Sequence, residues 1–462
     1  MSLPLVIWEM SDRRPERWLN NSRKLCSFIR PAIGEFPEAL PGRSLANSDC
    51  RAGLLHRRPG TEWQKRVLSP RSTERVQRVN EPVVAQCYLQ LLDNRRAMAE
   101  TQQPSTPQQA PALQSTQKVS DVIRSYRPTK AFRPSKQDSH VHITSLDFDD
   151  QGDYLVAAGD DETMQVFDIK EGKSTKTVPS KKYGVHLARF THHSRQVLHA
   201  STKVDDSLRL LDLHNESYVR YFTGHSDKVT CLALSPGSDA FISCSKDDTV
   251  TMWDLSSRNP QGKLKLATPY LVAFDPSASV IAIASQSTSS VLLYDFRNYD
   301  KPPFATFDLA PLEERFTPST RGRAWTRLEF SNDGKNLLVG TDYHGHFLLD
   351  AFDGRLRAFL VGKNGSPGRA APVSSSGKPL GQGDACFTPD GRYVIGGSGD
   401  QFEALVWDTQ QAPEHGSFLQ PMVRLPQRGR TALVECNPRY NMFATADRET
   451  VFWLPEDSSK AS

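Results

Sequence analysis

No stretch of the sequence approaches the roughly 18 consecutive apolar residues of a membrane-spanning helix. The first residues, MSLPLVIWEM, form a short apolar patch without a basic flank before it or a small-residue cleavage site after it, so no secretory signal is predicted. The sequence also lacks a GxxxxGKS/T phosphate loop, an HExxH zinc motif and paired CxxC spacings. These absences argue against membrane, nucleotide-hydrolysing and zinc-dependent classes, and they favour a binding protein without a cofactor or a metal.

The cysteines are few and scattered. Their number is odd and none has CxxC spacing, a pattern typical of reduced thiols that pack as small apolar groups in an intracellular protein rather than of a disulfide or zinc framework. They are Cys26, Cys50, Cys87, Cys231, Cys244, Cys386 and Cys436.

The formal net charge of +4 is unevenly distributed. Residues 1–118 hold 18 Lys and Arg against 11 Asp and Glu, a net charge of +7, which leaves −3 for the rest of the chain. This segment has no sustained apolar period, and Gln102–Gln117 is a polar stretch without aromatic residues. We therefore predict a basic, mostly disordered extension over residues 1–118.

Thr223–Leu255 shows the unit from which the remaining chain is built. It begins with Gly224-His225 and ends with Trp253-Asp254 and the following leucine. Turn residues such as Pro236-Gly237 separate its three short apolar runs, a pattern that predicts a small antiparallel sheet. The runs are Val229–Leu234, Ala240–Cys244 and Val250–Trp253.

The same unit recurs along the chain. Its third run ends in an apolar or aromatic residue followed by an acid, and successive acids lie 44, 42, 41, 55 and 58 residues apart. The pairs are Phe167-Asp168, Leu211-Asp212, Trp253-Asp254, Tyr294-Asp295, Leu349-Asp350 and Trp407-Asp408, and a seventh copy ends at Trp453-Leu454. One such sheet cannot bury both faces by itself, so the copies are expected to stack. We predict an all-β domain over residues 119–457 and a short tail at 458–462.

The unit resembles the WD-repeat β-propeller, and several longer strings resemble one branch of that family, the WD-repeat subunit of COMPASS-type histone methyltransferase complexes. These strings are SKKYGV at Ser180–Val185, YVRYFTGHS at Tyr218–Ser226, PFATF at Pro303–Phe307, LEFSNDGK at Leu328–Lys335 and FWLP at Phe452–Pro455. The resemblance implies a seven-bladed propeller in which Val119–Arg133 supplies a strand to the last blade. The segment Gly362–Gly383 departs from the family core, and its composition predicts a mobile loop.

Four residues of the Thr223–Leu255 unit match the polar network of WD repeats, in which a histidine links an aspartate to a hydroxyl and a tryptophan indole. They are His225, Asp247, Ser243 and Trp253. A His-Ser-Asp trio also occurs in hydrolases. Because the sequence has no GxSxG nucleophile elbow and the tryptophan is a fourth member, we predict a structural network and no catalytic residues.

The resemblance implies a nuclear, non-catalytic scaffold that helps to recruit a COMPASS-type complex to chromatin transcribed by RNA polymerase II, for histone H3 lysine 4 methylation. The implied partners are a SET-domain methyltransferase and other complex subunits, the phosphorylated C-terminal tail of the polymerase, and phosphatase or polyadenylation factors. Two alternatives stay open. The chain is a scaffold of the mRNA cleavage, polyadenylation and transcription-termination machinery, as the family also is in fungi, or it binds nucleic acid through the basic extension.

Loops on a rigid propeller present side chains to partner segments. Five residues are candidates to receive phosphate or acidic groups through charge-assisted hydrogen bonds. For Lys181 and Lys182, an ordinary role as solvated lysines in a turn is an equally good interpretation. The five are Lys181, Lys182, Tyr183, Arg189 and Lys203.

Overall fold

Short apolar runs broken by turn residues form strands over nearly the whole described part of the chain. The computed structural model describes residues 118–134, 141–316, 325–363, 384–399, 401–412 and 417–456. The predictions made for the extension over residues 1–117, for the insertion over residues 364–383 and for the C-terminal tail lie outside the described residues.

Two short helices and 29 strands are present among these residues. The helices are α1 (Val119–Val122) and α2 (Ala310–Phe316). The strands before α2 are β1 (Tyr126–Phe132), β2 (Ile143–Phe148), β3 (Tyr154–Gly159), β4 (Thr163–Asp168), β5 (Lys173–Pro179), β6 (His186–Phe190), β7 (Gln196–Ala200), β8 (Leu208–Asp212), β9 (Ser217–Phe222), β10 (Val229–Leu234), β11 (Ala240–Ser245), β12 (Thr249–Asp254), β13 (Gly262–Lys265), β14 (Pro269–Phe274), β15 (Val280–Ser285), β16 (Ser290–Asp295) and β17 (Ala305–Asp308). Those after it are β18 (Trp325–Phe330), β19 (Asn336–Thr341), β20 (Gly345–Asp350), β21 (Leu356–Val361), β22 (Ala385–Phe387), β23 (Tyr393–Gly397), β24 (Glu403–Asp408), β25 (Ser417–Leu419), β26 (Val423–Pro426), β27 (Leu433–Cys436), β28 (Phe443–Ala446) and β29 (Thr450–Pro455).

The strands form seven sheets, which we call blades 1 to 7 in chain order. Blades 1 to 4 are the consecutive antiparallel sets β2–β5, β6–β9, β10–β13 and β14–β17. Blade 5 is β18–β21 with β25 added in parallel to β21, and blade 6 is β22, β23, β24 and β26. Blade 7 takes β27, β28 and β29 from the end of the chain and β1 from before blade 1. The prediction of seven copies in an all-β propeller is confirmed.

The ring closes at both the inner and the outer edges of the blades. The first strands β2, β6, β10, β14, β18, β22 and β27 adjoin one another in that order, and β27 adjoins β2. At the outer edge of blade 7, β1 pairs antiparallel with β29, from Tyr126 opposite Pro455 to Phe132 opposite Thr450. The strand implied within Val119–Arg133 is therefore present, but Val119–Val122 at its start is helical.

Each blade is buried most completely in its middle strands. In β15 every residue after Val280 is buried, and β19 is buried throughout, because neighbouring blades cover both faces of these strands. Fourth strands such as β5 and β9 are mostly exposed or half-buried instead, and each has a single buried residue, Val178 and Phe222 respectively. The sequence pattern showed three apolar runs per blade and missed these polar outer strands, among them β17, and the helix α2 that follows it.

The acid that defines the repeat ends the third strand of blades 1 to 6. In each case its side chain accepts a hydrogen bond of 2.6–3.1 Å from a backbone N–H two or three residues further along the chain. This is the arrangement by which aspartate starts a turn, and here it turns the chain towards the outer strand. The acids are Asp168, Asp212, Asp254, Asp295, Asp350 and Asp408.

Candidate functional site

The four residues predicted to form a network in blade 3 do lie together. His225, in the segment before β10, contacts Asp247 in the β11–β12 turn through Nδ1 at 3.1 Å and the Ser243 hydroxyl of β11 through Nε2 at 2.7 Å. The indole N–H of Trp253 on β12 donates to the same hydroxyl at 2.8 Å. These contacts therefore link the segment before β10 with the second and third strands of the blade.

The pKa values of His225 and Asp247 determine which atoms of this network carry protons. Burial lowers the pKa of His225, which favours the neutral imidazole. Burial alone would raise the pKa of Asp247, but hydrogen bonds from Thr249, the Ser226 N–H and His225 lower it to about 2. An ionised Asp247 accepts from Nδ1–H, so Nε2 accepts the Ser243 hydroxyl proton. Ser243 is fully buried and bonded on both sides, so its oxygen serves as a structural link and is inaccessible to a substrate.

Blade 7 contains a related link that the sequence motif did not reveal. The Trp453 indole N–H donates to Thr445 at 3.0 Å, and the Thr445 hydroxyl donates to the side-chain oxygen of Gln427 at 3.2 Å. Gln427 precedes β27 much as His225 precedes β10. A glutamine amide can therefore take the position of the histidine imidazole in a blade where that side chain has no aspartate partner.

This comparison predicts the effect of replacing His225. His225→Ala should lower the free energy of unfolding by about 2–4 kcal/mol, because Asp247 and Ser243 lose their buried partner. His225→Gln should cost less than half of this, since a glutamine side chain can donate to the carboxylate and accept from the hydroxyl. Urea denaturation at pH 7.5 measures both, and equal losses in the two variants would contradict the hydrogen-bonding role.

The pH dependence gives a second readout for the same pair of variants. The folded-state pKa of His225 lies below its unfolded value of about 6.5. The stability that the neutral imidazole contributes is therefore fully present above pH 6.5, and it is lost as the pH falls from 6.5 through the lower folded-state pKa. His225→Gln does not titrate, so its deficit relative to the wild type should shrink below pH 6.5.

A second group of polar and aromatic side chains lies at one end of blade 2, where the β5–β6 connection meets the β7–β8 loop and β9. We call it the blade-2 patch. Its aromatic part is three tyrosines, with ring centroids 5.6 Å apart for Tyr183 and Tyr218 and 5.7 Å apart for Tyr218 and Tyr221. The patch comprises Lys181, Lys182, Tyr183, Lys203, Val204, Arg209, Tyr218 and Tyr221.

Arg209, which the sequence analysis did not single out, packs against the tyrosine rings of the patch. Its guanidinium carbon lies 3.6 Å from the Tyr183 ring centroid and 4.9 Å from that of Tyr221. The group is buried, donates to Ser201 at 2.7 Å and binds both carboxylate oxygens of Asp205 at 2.7 and 2.8 Å. A stacked, bidentate arginine fixes the ring orientations, which makes the tyrosines a preorganised surface.

The predicted lysines lie on or beside this surface. Lys181 and Lys182 are exposed, and Lys182 Nζ lies 4.9 Å from the Tyr183 ring centroid. The backbone N–H of Lys203 donates to the Tyr183 carbonyl at 2.9 Å, and its side chain forms an ion pair with Glu162. Val204 is 78% exposed and has a φ of +71°, a strained conformation for a β-branched residue.

Arg189 does not join the patch. It lies on β6, the inner strand of blade 2, where its guanidinium is 3.5 Å from Asp147 and donates to the Leu146 carbonyl of blade 1 at 2.5 Å. The sequence analysis grouped it with the lysines because it is only six residues from Tyr183. The strand turns its side chain towards the inner edge of the ring instead.

The inner edges of blades 5, 6 and 7 carry a group of largely buried charges, with side chains 9–26% exposed, that we call the inner charge cluster. It consists of Arg327, Glu329, Asp384 and Glu435. Arg327 binds Glu435 at 2.7 and 2.9 Å, Glu329 at 2.8 Å and Asp384 at 3.5 Å. Burial raises the pKa of Glu329 and of Asp384, and it raises the pKa of nearby Asp147 to about 7. One guanidinium thus joins three blades.

Within the described residues, no helix has the length and apolar character needed to cross a membrane. In the same part of the chain, no three His, Cys, Asp or Glu side chains are arranged to hold a metal ion.

Seven sheets closed into a ring, with a His-Ser-Trp link inside a blade, define a WD-repeat β-propeller. The family model described as "WD domain, G-beta repeat" matches residues 133–168 and 216–254. WD repeat-containing protein 82 of Drosophila melanogaster is 36% identical over 338 residues, which cover 73% of this chain and 96% of that protein. The chain belongs to the WD-repeat family that includes this relative.

Two fungal members of the family have names that state an assembly. COMPASS component SWD2 of Saccharomyces cerevisiae is 33% identical over 335 residues, which cover 72% of this chain and 96% of the relative. Set1 complex component swd2 of Schizosaccharomyces pombe is 31% identical over 365 residues, which cover 72% of this chain and 98% of the relative. Both matches extend over almost the full length of the relative.

Proposed function

We propose that this protein is a non-catalytic scaffold subunit of a COMPASS-type histone lysine methyltransferase complex in the nucleus. The observation that carries the proposal is the near-complete coverage of two relatives whose names make them components of that complex or of the Set1 complex. The alignments span the propeller and are not confined to one or two blades. A likeness of this extent favours a shared assembly role over a shared fold alone.

The blade-2 patch is the proposed docking site for the methyltransferase subunit. Rigid tyrosines with an arginine among them are the residue types that dominate binding energy at protein interfaces. Tyr221 is 42% exposed and Val204 is exposed and strained, so both offer apolar contact area that the propeller itself does not use. Lys181 and Lys182 add positive charge, which suits a partner segment that carries acidic or phosphorylated residues.

Affinity purification of the full chain tests both parts of the proposal. Wild-type protein is expected to recover a SET-domain methyltransferase. The double variant Lys182→Glu with Tyr221→Ser should recover about tenfold less of it, equivalent to a loss of about 1.4 kcal/mol of binding free energy. The two substitutions remove only surface contacts, those of Tyr221 with Tyr218 and Arg209 and that of Lys182 with Tyr183, so the melting temperature should fall by no more than a few degrees.

The matched control changes the same residue types elsewhere on the propeller. Lys335→Glu with Phe352→Ser alters a lysine and an aromatic side chain in the connections of blade 5, where Phe352 is 91% exposed. This variant should recover the methyltransferase at the wild-type level. Equal recovery with both double variants would exclude the blade-2 patch as the site while leaving the scaffold role in place.

The identity of the recovered proteins separates the alternatives. Polyadenylation factors without a methyltransferase would replace the proposal with a role in RNA 3′-end formation. Recovery of nucleic acid that is lost on deleting residues 1–118 would favour direct binding through the basic extension. The absence of a methyltransferase from a clean wild-type purification would overturn the proposal.

A further inference from the structure

We propose that Cys386 and Cys436 form an oxidisable thiol pair, which a peroxide converts into a disulfide that joins blade 6 to blade 7. The inference is independent of the proposed function. It rests on the separation of the two sulfurs, on the different exposure of the two thiols and on a cavity that reaches one of them.

The two cysteines face each other across a boundary between blades. Cys386 is the middle residue of β22 and Cys436 the last residue of β27, the adjoining inner strands of blades 6 and 7. Their Sγ atoms are 3.5 Å apart, and both thiols are free. Disulfide formation therefore needs the sulfurs to approach by about 1.5 Å, since an S–S bond is about 2.05 Å long.

The two thiols are not equivalent. Cys386 is fully buried, its S–H donates towards the Cys436 sulfur, and burial raises the pKa of its thiol. Cys436 is partly exposed. The oxidant can therefore reach Cys436 but not Cys386, so Cys436 is the residue that reacts first, and Cys386 is held in place to resolve the product.

A cavity gives a small oxidant access to Cys436. It has a volume of about 500 Å³, and its walls come from blades 6 and 7 and from the segment leading into β1. Tyr126, Arg392, Ile395, Cys436 and Arg439 are among the lining residues, whereas the lining does not include Cys386. The cavity is far larger than hydrogen peroxide requires.

The chemistry balances with one peroxide molecule. The Cys436 thiolate attacks one peroxide oxygen, an S–O bond forms as the O–O bond breaks, and the departing hydroxide takes up a proton to leave as water. Cys386 sulfur then attacks the sulfenic sulfur, an S–S bond forms, the S–O bond breaks, and a second water leaves with the Cys386 proton. Two thiols are oxidised and hydrogen peroxide is reduced to two waters.

The chain offers a matched reference pair for the test. Cys231 and Cys244 lie directly opposite each other on β10 and β11 of blade 3, but the Cys231 sulfur bonds to the backbone N–H and carbonyl of Val272 on blade 4. The full chain is treated with a small excess of hydrogen peroxide, free thiols are blocked with N-ethylmaleimide, and the digest is mapped by mass spectrometry without reduction. The Cys386–Cys436 cross-link should exceed any Cys231–Cys244 cross-link by on the order of tenfold, and dithiothreitol should reverse it.

Serine variants establish the order of the two steps. Cys386→Ser should leave Cys436 as a sulfenic acid that dimedone traps, whereas Cys436→Ser should leave Cys386 as a thiol. The oxidised wild type should melt several degrees above the reduced protein, and neither variant should show this shift. Recovery of both cysteines as alkylated thiols, or cross-links distributed equally among all cysteines, would overturn the proposal, and the wild-type map decides this even if a variant fails to fold.

Discussion

A chain that begins at Val141, and therefore lacks α1 and β1, is expected to lose the cooperative folding of blade 7. The truncation removes the hydrogen-bond partners of β29 from Thr450 to Pro455 and leaves that strand as an open edge. It also removes the ring of Tyr126, which packs edge-on against Phe443 at 5.1 Å.

The expected loss is large because several buried apolar groups leave together. Val122, Ile123 and Tyr126 are almost fully buried, and deleting a buried side chain of this size costs about 2–5 kcal/mol. The sum for the three side chains, about 6–15 kcal/mol, is comparable with the roughly 5–15 kcal/mol that stabilises a typical domain. Phe132 also packs between two blades. Its ring centroid lies 4.8 Å from that of Phe167 in blade 1 and 5.1 Å from that of Phe452 in blade 7.

Calorimetry and size-exclusion chromatography measure the effect. A chain that begins at Lys118 is the control, because it retains α1, β1 and every contact described for them, and it should melt close to the full-length protein. The shorter chain should aggregate or melt at least 10 °C lower, as a loss of several kcal/mol requires. Equal melting temperatures for the two truncations would show that β1 does not hold the ring closed.

Arg327→Met is expected to be the most damaging single substitution of a charged residue. Methionine fills much the same space, but it leaves Glu435, Glu329 and Asp384 without the guanidinium that binds them. Breaking a buried ion pair by removing one partner costs about 3–5 kcal/mol, because the remaining charges stay buried without compensation. The three carboxylates belong to blades 5, 6 and 7, so the damage should spread over three blades.

The stability that Arg327→Met loses relative to the wild type should depend on pH. Without the guanidinium, the folded-state pKa values of Glu329 and Asp384, which burial already raises, rise further above their unfolded values. A group with a raised folded pKa favours the folded state below its unfolded pKa and loses that contribution as the pH rises through the folded value. Arg327→Met should therefore be closest to the wild type near pH 5 and furthest from it at pH 8, as denaturant unfolding at the two pH values would measure.

The control for this substitution is Arg357→Met. Arg357 binds Asp350 at 2.6 Å, but its side chain is 38% exposed, so the loss should stay below about 1 kcal/mol at both pH values. If the two arginine variants lost equal stability with no pH dependence, the inner charge cluster would have no more importance than a surface ion pair.

The sequence was sufficient to predict the repeat because its signals are local, and the closed ring followed from the resemblance to the WD-repeat family. Trp253-Asp254 and its counterparts combine a buried aromatic or apolar residue with an acid that starts a turn, and both properties depend on neighbours in the chain. The four-residue network in blade 3 was predictable for the same reason, since one blade contains all of its members. The outer strands were missed because strands such as β9 are largely exposed, and polar residues such as Ser217 and Arg220 interrupt their apolar residues.

Contacts between blades could not be predicted in the same way. Nothing near Arg327 in the sequence points to Glu435, which lies more than 100 residues further along the chain, and Cys386 and Cys436 are 50 residues apart. Arg189 shows the opposite error. It is close to Tyr183 in sequence, but its strand directs it towards Asp147, so short separation gave a false grouping.

The pairing of β1 with β29 also sets a condition on synthesis of the protein. The two strands are more than 300 residues apart, so at about 5–20 residues per second a ribosome makes the second roughly 15–60 s after the first. Throughout this interval β1 has no partner, although blades 1 to 6 can already be assembling. The nascent chain therefore needs protection at β1 from the time that this strand is made until β29 has been translated.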